Sequence, residues 1–183
     1  MKKIFLTVLM ALMILPASLN ALEGQPMIGE QAPDFSLKDL DGNTVILSGL
    51  KNNIVVMHFA ASWCPYCNAE APHLEALYQK YKDKNVKVLI VNCMEKPDIA
   101  KAWAIDRHKF SFPILLDSYG KVTAKYAPQG VMPDLPRHEV PIASNLIIDK
   151  EGKIIFYSLL DSKNFDAKLT EINKQLEQMM AKK

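Results

Sequence analysis

The sequence predicts an α/β fold: a central mixed sheet with helices on both faces and a small β-hairpin at its N-terminal side. Three observations predict it. Ile54-Val55-Val56-Met57-His58-Phe59 and Val86 to Val91 are nearly continuous apolar runs, as in strands covered on both faces. A segment with helical spacing lies between them. The last strand signals form a hairpin, and the chain closes on Phe165, Leu169, Ile172, Leu176 and Met179, an amphipathic helical stripe. Strand, helix, strand, helix, hairpin, helix is the alternation that buries a sheet between helical layers.

Taken in order, residues 22–33 read as an extended lead-in with Pro26, Gly29 and Pro33. Phe35-Ser36-Leu37 and Val45-Ile46-Leu47 flank Asp41-Gly42, a hairpin turn signal. After the first buried strand, residues 65–83 carry Ala69, Leu74, Leu77, Tyr78 and Tyr81 at helical spacing, with Pro72 predicting a kink. Beyond the second strand, Ile99 to His108 is expected to be a helix anchored by Trp103. Phe112 to Leu116 then reads as a third strand and 118–126 as a short helix. Residues 127–141, with Pro128, Gly130, Pro133, Pro136 and Pro141, form a long loop. Ser144 to Ile148 and Lys153 to Leu159 are strands joined by the turn Asp149-Lys150-Glu151-Gly152.

The 183 residues, 49% of them hydrophobic, suit one domain with its own core behind a processed segment. Residues 1–21 read as a secretory signal: Lys2-Lys3, a 12-residue apolar core from Ile4 to Leu15, the breaker Pro16, and small residues ending at Ala21. Residues 22–183 are then the folded domain. The apolar run is short of the roughly 20 residues of a spanning helix, and an uncleaved N-terminal membrane tether is the alternative. The net charge of +2 resides in Lys2 and Lys3, so the remainder is neutral, which argues against a nucleic-acid partner.

Three cysteines are too few for a disulfide scaffold and leave one unpaired. Cys64-Pro65-Tyr66-Cys67 lies between a buried strand and a helix start. A cysteine at a helix N-terminus faces unpaired N–H groups and the positive end of the dipole, which lowers its pKa from about 8.5. A second cysteine three residues on lies on the same face and can attack a disulfide formed at the first. Pro65 suits the first helical turn, where no N–H is needed. A structural disulfide is the competing reading, but so small a loop constrains the unfolded chain very little. A metal site is another, but no second paired spacing supplies ligands. Neither metal nor cofactor is expected. Cys93 reads as a buried free thiol, or as a third redox partner.

Gly29-Glu30-Gln31-Ala32-Pro33-Asp34-Phe35-Ser36-Leu37, Ala61-Ser62-Trp63-Cys64-Pro65-Tyr66-Cys67, Glu70-Ala71-Pro72, Val91-Asn92-Cys93-Met94-Glu95, Phe112 to Asp117 and Leu146-Ile147-Ile148-Asp149 resemble the extracytoplasmic thioredoxin-like proteins of the TlpA/ResA type. The resemblance covers residues 28–160, and its leading Ala-Pro-Asp-Phe block is shared with peroxiredoxins. It implies a thioredoxin-like three-layer sandwich and an enzyme of the bacterial periplasm that exchanges disulfides with protein partners. It also implies a reducing role, with electrons from a membrane donor. Cys64 would be the nucleophile and Cys67 the resolving thiol, with Trp63, Pro65 and Tyr66 completing the motif. Glu95 matches an acid that lies near the family's dithiol.

The sequence departs from that pattern in two places. His58 stands where thioredoxins bury an acid, and its ordinary pKa near 6.5 would suit it to assist deprotonation of Cys67; a hydrogen-bonded core histidine is the alternative. The family's cis-proline position falls on Ala143, with Pro141 two residues earlier on the same strand face. A cis bond before alanine costs about 3 kcal/mol, so a trans Ala143 in the site is the expectation, with Pro141 the rival. Arg137 and His138, on a loop longer than the family's, are candidates for partner contact. Two other functions compete. A peroxidase of peroxiredoxin type would need Thr and Arg where Ala61 and Ala143 stand. A copper carrier would need His138 beside the cysteines.

Overall fold

The computed structural model describes residues 27–181. The predicted signal segment, residues 1–21, lies outside the described residues. An N-terminal hairpin of β1 (Ser36–Lys38) and β2 (Thr44–Ile46) is followed by a 3-10 turn (Leu47–Leu50). The main sheet is formed by β3 (Ile54–Ala60), β4 (Val86–Cys93), β5 (Ile114–Asp117), β6 (Asn145–Ile148) and β7 (Ile154–Ser158), in the order β5-β4-β3-β6-β7. The pairs β3–β4 and β4–β5 are parallel, and β3–β6 and β6–β7 are antiparallel. Helices α1 (Pro65–Tyr81), α2 (Pro97–Lys101), α3 (Lys121–Lys125) and α4 (Thr170–Ala181) complete the described part. None of the described helices is long and apolar enough to cross a membrane.

All seven residues of β3 are buried, because helices and loops cover both faces of the central strand. Val56 and Ala60 point into a cluster with Leu74, Leu77 and Tyr81 of α1 and Ile172 and Leu176 of α4. Val55, Met57 and Phe59 point the other way, onto Ala32, Phe35, Leu47, Val122 and Tyr126. This is the three-layer arrangement expected from the sequence. Side chains of this size contribute about 1.5–3 kcal/mol each when fully buried, so the central strand anchors the domain. The lead-in is tied to the sheet by a bridge between Gln31 and Lys153, and the hairpin by one between Asp39 and Leu115. The hairpin turn is held by Asp39, whose Oδ1 accepts from the N–H groups of Asp41 and Asn43.

Three elements differ from the sequence reading. The helix expected over Ile99 to His108 is a short α2 that passes into a π-helical turn over Ala102–Arg107. The third strand begins at Ile114 rather than Phe112. The closing helix begins at Thr170: Phe165 and Leu169 keep the apolar spacing but precede it. Leu169 adopts φ +55°, its N–H donates to the Asp166 carbonyl, and the Asp166 carboxylate accepts from Glu171 N–H. A local polar turn therefore overrides the stripe. The helix α1 runs through Pro72 as one element.

Candidate active site

The dithiol sits where β3 ends and α1 begins. Cys64 is the N-cap of α1, with φ −75° and ψ 117°, and Pro65 takes the first helical position. The extended N-cap turns the Cys64 sulfur back over the helix end, where it accepts the Cys67 N–H at 3.2 Å. The Cys67 thiol, then the backbone N–H groups of Cys67 and Tyr66, stabilise the Cys64 thiolate against its burial and bring its pKa down to about 7. Cys67 is fully buried, with its S–H directed at the Phe59 carbonyl. Burial, followed by the neighbouring Cys64 sulfur, pushes its pKa far above the ordinary thiol range. One sulfur is poised to ionise and the other to stay protonated. Both are free thiols.

Around the pair, Trp63 is 65% exposed and Tyr66 is half-buried, its ring edge-on to Phe165 at 4.9 Å. Glu95 is buried. Its carboxylate accepts from Ser62 N–H at 2.9 Å, Ser62 O–H and Asn92 Nδ2, fixing the residue two before Cys64. Ala143 lies in the same apolar cluster as both cysteines, with φ +65°, and its N–H donates to the Phe59 carbonyl at 2.8 Å. Pro141 is buried, and its carbonyl accepts from Ser144 N–H. The described residues contain no cis peptide bond. The Ala143 N–H and the Cys67 S–H thus meet at one carbonyl, that of Phe59, while Pro141 belongs to the turn before Ala143.

His58 makes no bond to Cys67. Its Nδ1 is 3.0 Å from Asn145 Oδ1 and 3.3 Å from Glu70 Oε2, while Asn145 Nδ2 donates to Glu70 Oε1 at 3.0 Å. All three residues are buried. Burial lowers the His58 pKa to about 4, against the opposing Asn145 bond. Burial raises Glu70 to about 8, with the charge on Cys64 adding to the rise. In the sequence Glu70 stands out only as part of the Glu70-Ala71-Pro72 block. The missed signal is its place three residues after Cys67, on the same face of α1. Asn145, brought over by β6, left no local signal. Glu70, Asn145 and Ala143 also line a cavity of about 280 Å³ closed by Phe156, Phe165 and Leu169.

Arg137 and His138 are not placed as free contacts. The Arg137 guanidinium donates to the carbonyls of Pro128 and Val131 and closes the proline-rich loop on itself. The His138 carbonyl accepts the Cys93 S–H at 3.3 Å, and burial pushes Cys93 up to about 11. Among the described residues, no group of three or more His, Cys, Asp or Glu could hold a metal ion.

Residues 28–157 match the model of the AhpC/TSA family. The thiol-disulfide oxidoreductase ResA of Bacillus thuringiensis subsp. konkukian is 32% identical over 128 residues, covering 70% of this chain and 67% of the relative. The solution structure of a candidate protein disulfide isomerase from Bacteroides thetaiotaomicron is similar, with a TM-score of 0.68 and 30% identity over 83% of this chain and 91% of that one. A candidate thiol:disulfide interchange protein DsbE from Chlorobium tepidum follows, with a TM-score of 0.67 and 25% identity over 84% of this chain and 98% of that one. The chain belongs to the AhpC/TSA family and is a thiol-disulfide oxidoreductase of thioredoxin-like fold.

Proposed function

We propose that this oxidoreductase works outside the cytoplasm as a reductant of protein disulfides, with Cys64 attacking and Cys67 resolving. The carrying observation is the asymmetry of the pair: Cys64 brought down to about 7 at a helix N-terminus, Cys67 buried and held protonated. The Cys64 thiolate attacks one sulfur of a partner disulfide; that bond breaks, a mixed disulfide forms, and the partner's other sulfur leaves as a thiolate and takes a proton. Cys67 then loses its proton and attacks the Cys64 sulfur, releasing the second partner thiol. Two electrons pass to the partner, and Cys64–Cys67 is left oxidised. Glu70, one turn after Cys67 on α1, and the neutral His58 beside it are the groups assigned to take up the Cys67 proton, and Glu95 holds Ser62 in place.

A nucleophile near pKa 7 supports the reducing direction. Thioredoxin, with a potential of about −270 mV, has a cysteine near 7, whereas DsbA, at about −120 mV, has one near 3.5. Stabilising the thiolate favours the reduced form, so a modestly lowered value leaves the dithiol a good electron donor. Regeneration then requires a second donor, and a membrane protein reaching the same compartment suits a chain with a basic, apolar N-terminus that is cleaved after Ala21 or kept as a tether. Ala61 and Ala143 offer no hydroxyl or guanidinium to polarise a peroxide, which favours disulfide exchange over peroxidase chemistry.

Redox titration of Cys64/Cys67 against glutathione tests this reading. The expected potential lies at or below about −220 mV, in the range of thioredoxins and glutaredoxins. A value near −120 mV would assign the protein to disulfide donation instead.

A further inference from the structure

Asn68 directly follows the second cysteine. Its side-chain amide offers two N–H donors and an oxygen with two lone pairs, and all four are used. Nδ2 donates to the carbonyls of Ser62 at 2.9 Å and Cys64 at 2.7 Å. Oδ1 accepts from Trp103 Nε1 and His108 Nε2, each at 2.9 Å. Because the indole nitrogen can only donate, it fixes which end of the amide faces which partner.

The two donors converge through the π-helical turn. Trp103 and His108 are five residues apart, and the His108 N–H closes a wide turn on the Trp103 carbonyl at 3.2 Å. On an α-helix such residues would diverge by about 140°. The wider turn sets both rings on one side, where Trp103 is buried and meets His108 edge-on at 5.4 Å, and His108 stacks on Phe110. Single π turns recur at functional sites, and this one presents two N–H groups to a single oxygen.

We propose that Asn68 is a positioning residue for the Cys64 thiolate, oriented by Trp103 and His108 of the π-helical turn. The inference rests on Cys64 being the attacking thiol. The Ser62 and Cys64 carbonyls bracket Trp63 and lie next to the reactive sulfur in the chain. Their negative ends oppose a thiolate, and the two Nδ2 hydrogens offset them. The same two bonds hold the backbone on either side of Trp63, and with it the N-cap conformation that sets the sulfur on the Cys67 N–H. The ionisable groups bearing on Cys64 are Cys67 and Glu70, both on α1. His108 acts only through Asn68, and its Nε2–H donates whether or not the ring is protonated.

The test is the pH dependence of Cys64 alkylation by iodoacetamide in the reduced protein, located by peptide mass. Asn68→Ala is expected to move the midpoint up by about one pH unit, slowing alkylation about tenfold at pH 6 and closing the gap above pH 9. Trp103→Phe keeps a ring in the packing but frees one lone pair of the amide oxygen, and it should move the midpoint the same way by less. Ile105→Ala, on the same turn but outside the network, lowers stability without moving the midpoint. A folded Asn68→Ala with the wild-type midpoint overturns the inference while leaving the function intact. A midpoint shift in Ile105→Ala as large as that in Asn68→Ala overturns it too, since the effect would then be general loosening. If wild-type Cys64 reacts no faster than Cys67, the functional reading itself fails.

Discussion

Replacing Glu70 with Gln should change how stability depends on pH. Glu70 is 2% exposed, and its pKa rises from 4.5 to about 8 on folding. The folded state therefore holds a proton that the unfolded chain has released between those values. A raised folded value gives stability that is complete below pH 4.5 and lost as pH climbs to 8, at about 1.4 kcal/mol per pH unit. The loss amounts to about 5 kcal/mol. His58 has the opposite sign: its value falls from 6.5 to about 4, so its contribution is lost as pH falls from 6.5 to 4. The two slopes cancel between pH 4.5 and 6.5, and wild-type stability should be flat there. That plateau does not depend on which partner holds the proton, because a neutral pair and an ion pair carry the same number. Glu70→Gln imitates the protonated carboxyl at every pH. The assay is urea unfolding from pH 4 to 9, followed by the fluorescence of buried Trp103. A Cys64→Ser background removes the titration of the nucleophile. The stability difference between Glu70→Gln and its parent should grow in favour of Gln from pH 4.5 to 8. A difference that stays constant over that range would refute a protonated Glu70 in the folded state.

Three further outcomes are expected. His58→Asn removes the neutral imidazole that bonds Asn145 and Glu70 and that is proposed to share the Cys67 proton. Resolution of a mixed disulfide by Cys67, followed in single turnovers, should slow by about a hundredfold near neutral pH, and an unchanged pH profile removes His58 from the mechanism. Ala143→Pro, which installs the family's residue, should destabilise the protein by about 3 kcal/mol or more. Proline cannot adopt φ +65° and loses the N–H bonded to Phe59; chemical denaturation at or above wild-type stability would show that the loop rebuilds instead. Cys93→Ala removes a buried S–H that reaches the His138 carbonyl and should cost about 1 kcal/mol. The potential of Cys64/Cys67 should not change, and a shift in that potential would make Cys93 a redox partner.

The layers of the fold were legible because each leaves a local imprint. The apolar run at 54–59 belongs to a strand buried on both faces, and Asp41-Gly42 marks the hairpin, although its loop runs from Asp39 to Asn43 with Gly42 at φ +85°, not as a two-residue turn. Where the reading failed, a local interaction had overridden the periodicity. The stripe through Phe165 and Leu169 looked helical, but Asp166 folds those residues into a turn whose φ +55° at Leu169 no apolar pattern records. The regular helix expected over Ile99 to His108 likewise conceals a π turn, because the shared oxygen of Asn68 lies 35 residues from Trp103.

For the site, the sequence alone determined the reactive pair: two cysteines three apart at a strand-to-helix junction, with proline at the first helical position. The physics of a helix N-terminus is local, so the motif carries it. Only the tertiary structure decided what surrounds the dithiol. His58 faces Glu70 and Asn145 rather than Cys67, Glu95 grips Ser62, and Arg137 is spent on its own loop. Those partners come from β3, α1, β6 and the end of β4. Burial and hydrogen bonding among groups 12 to 87 residues apart set the proton affinities of His58 and Glu70, and no stretch of sequence records that.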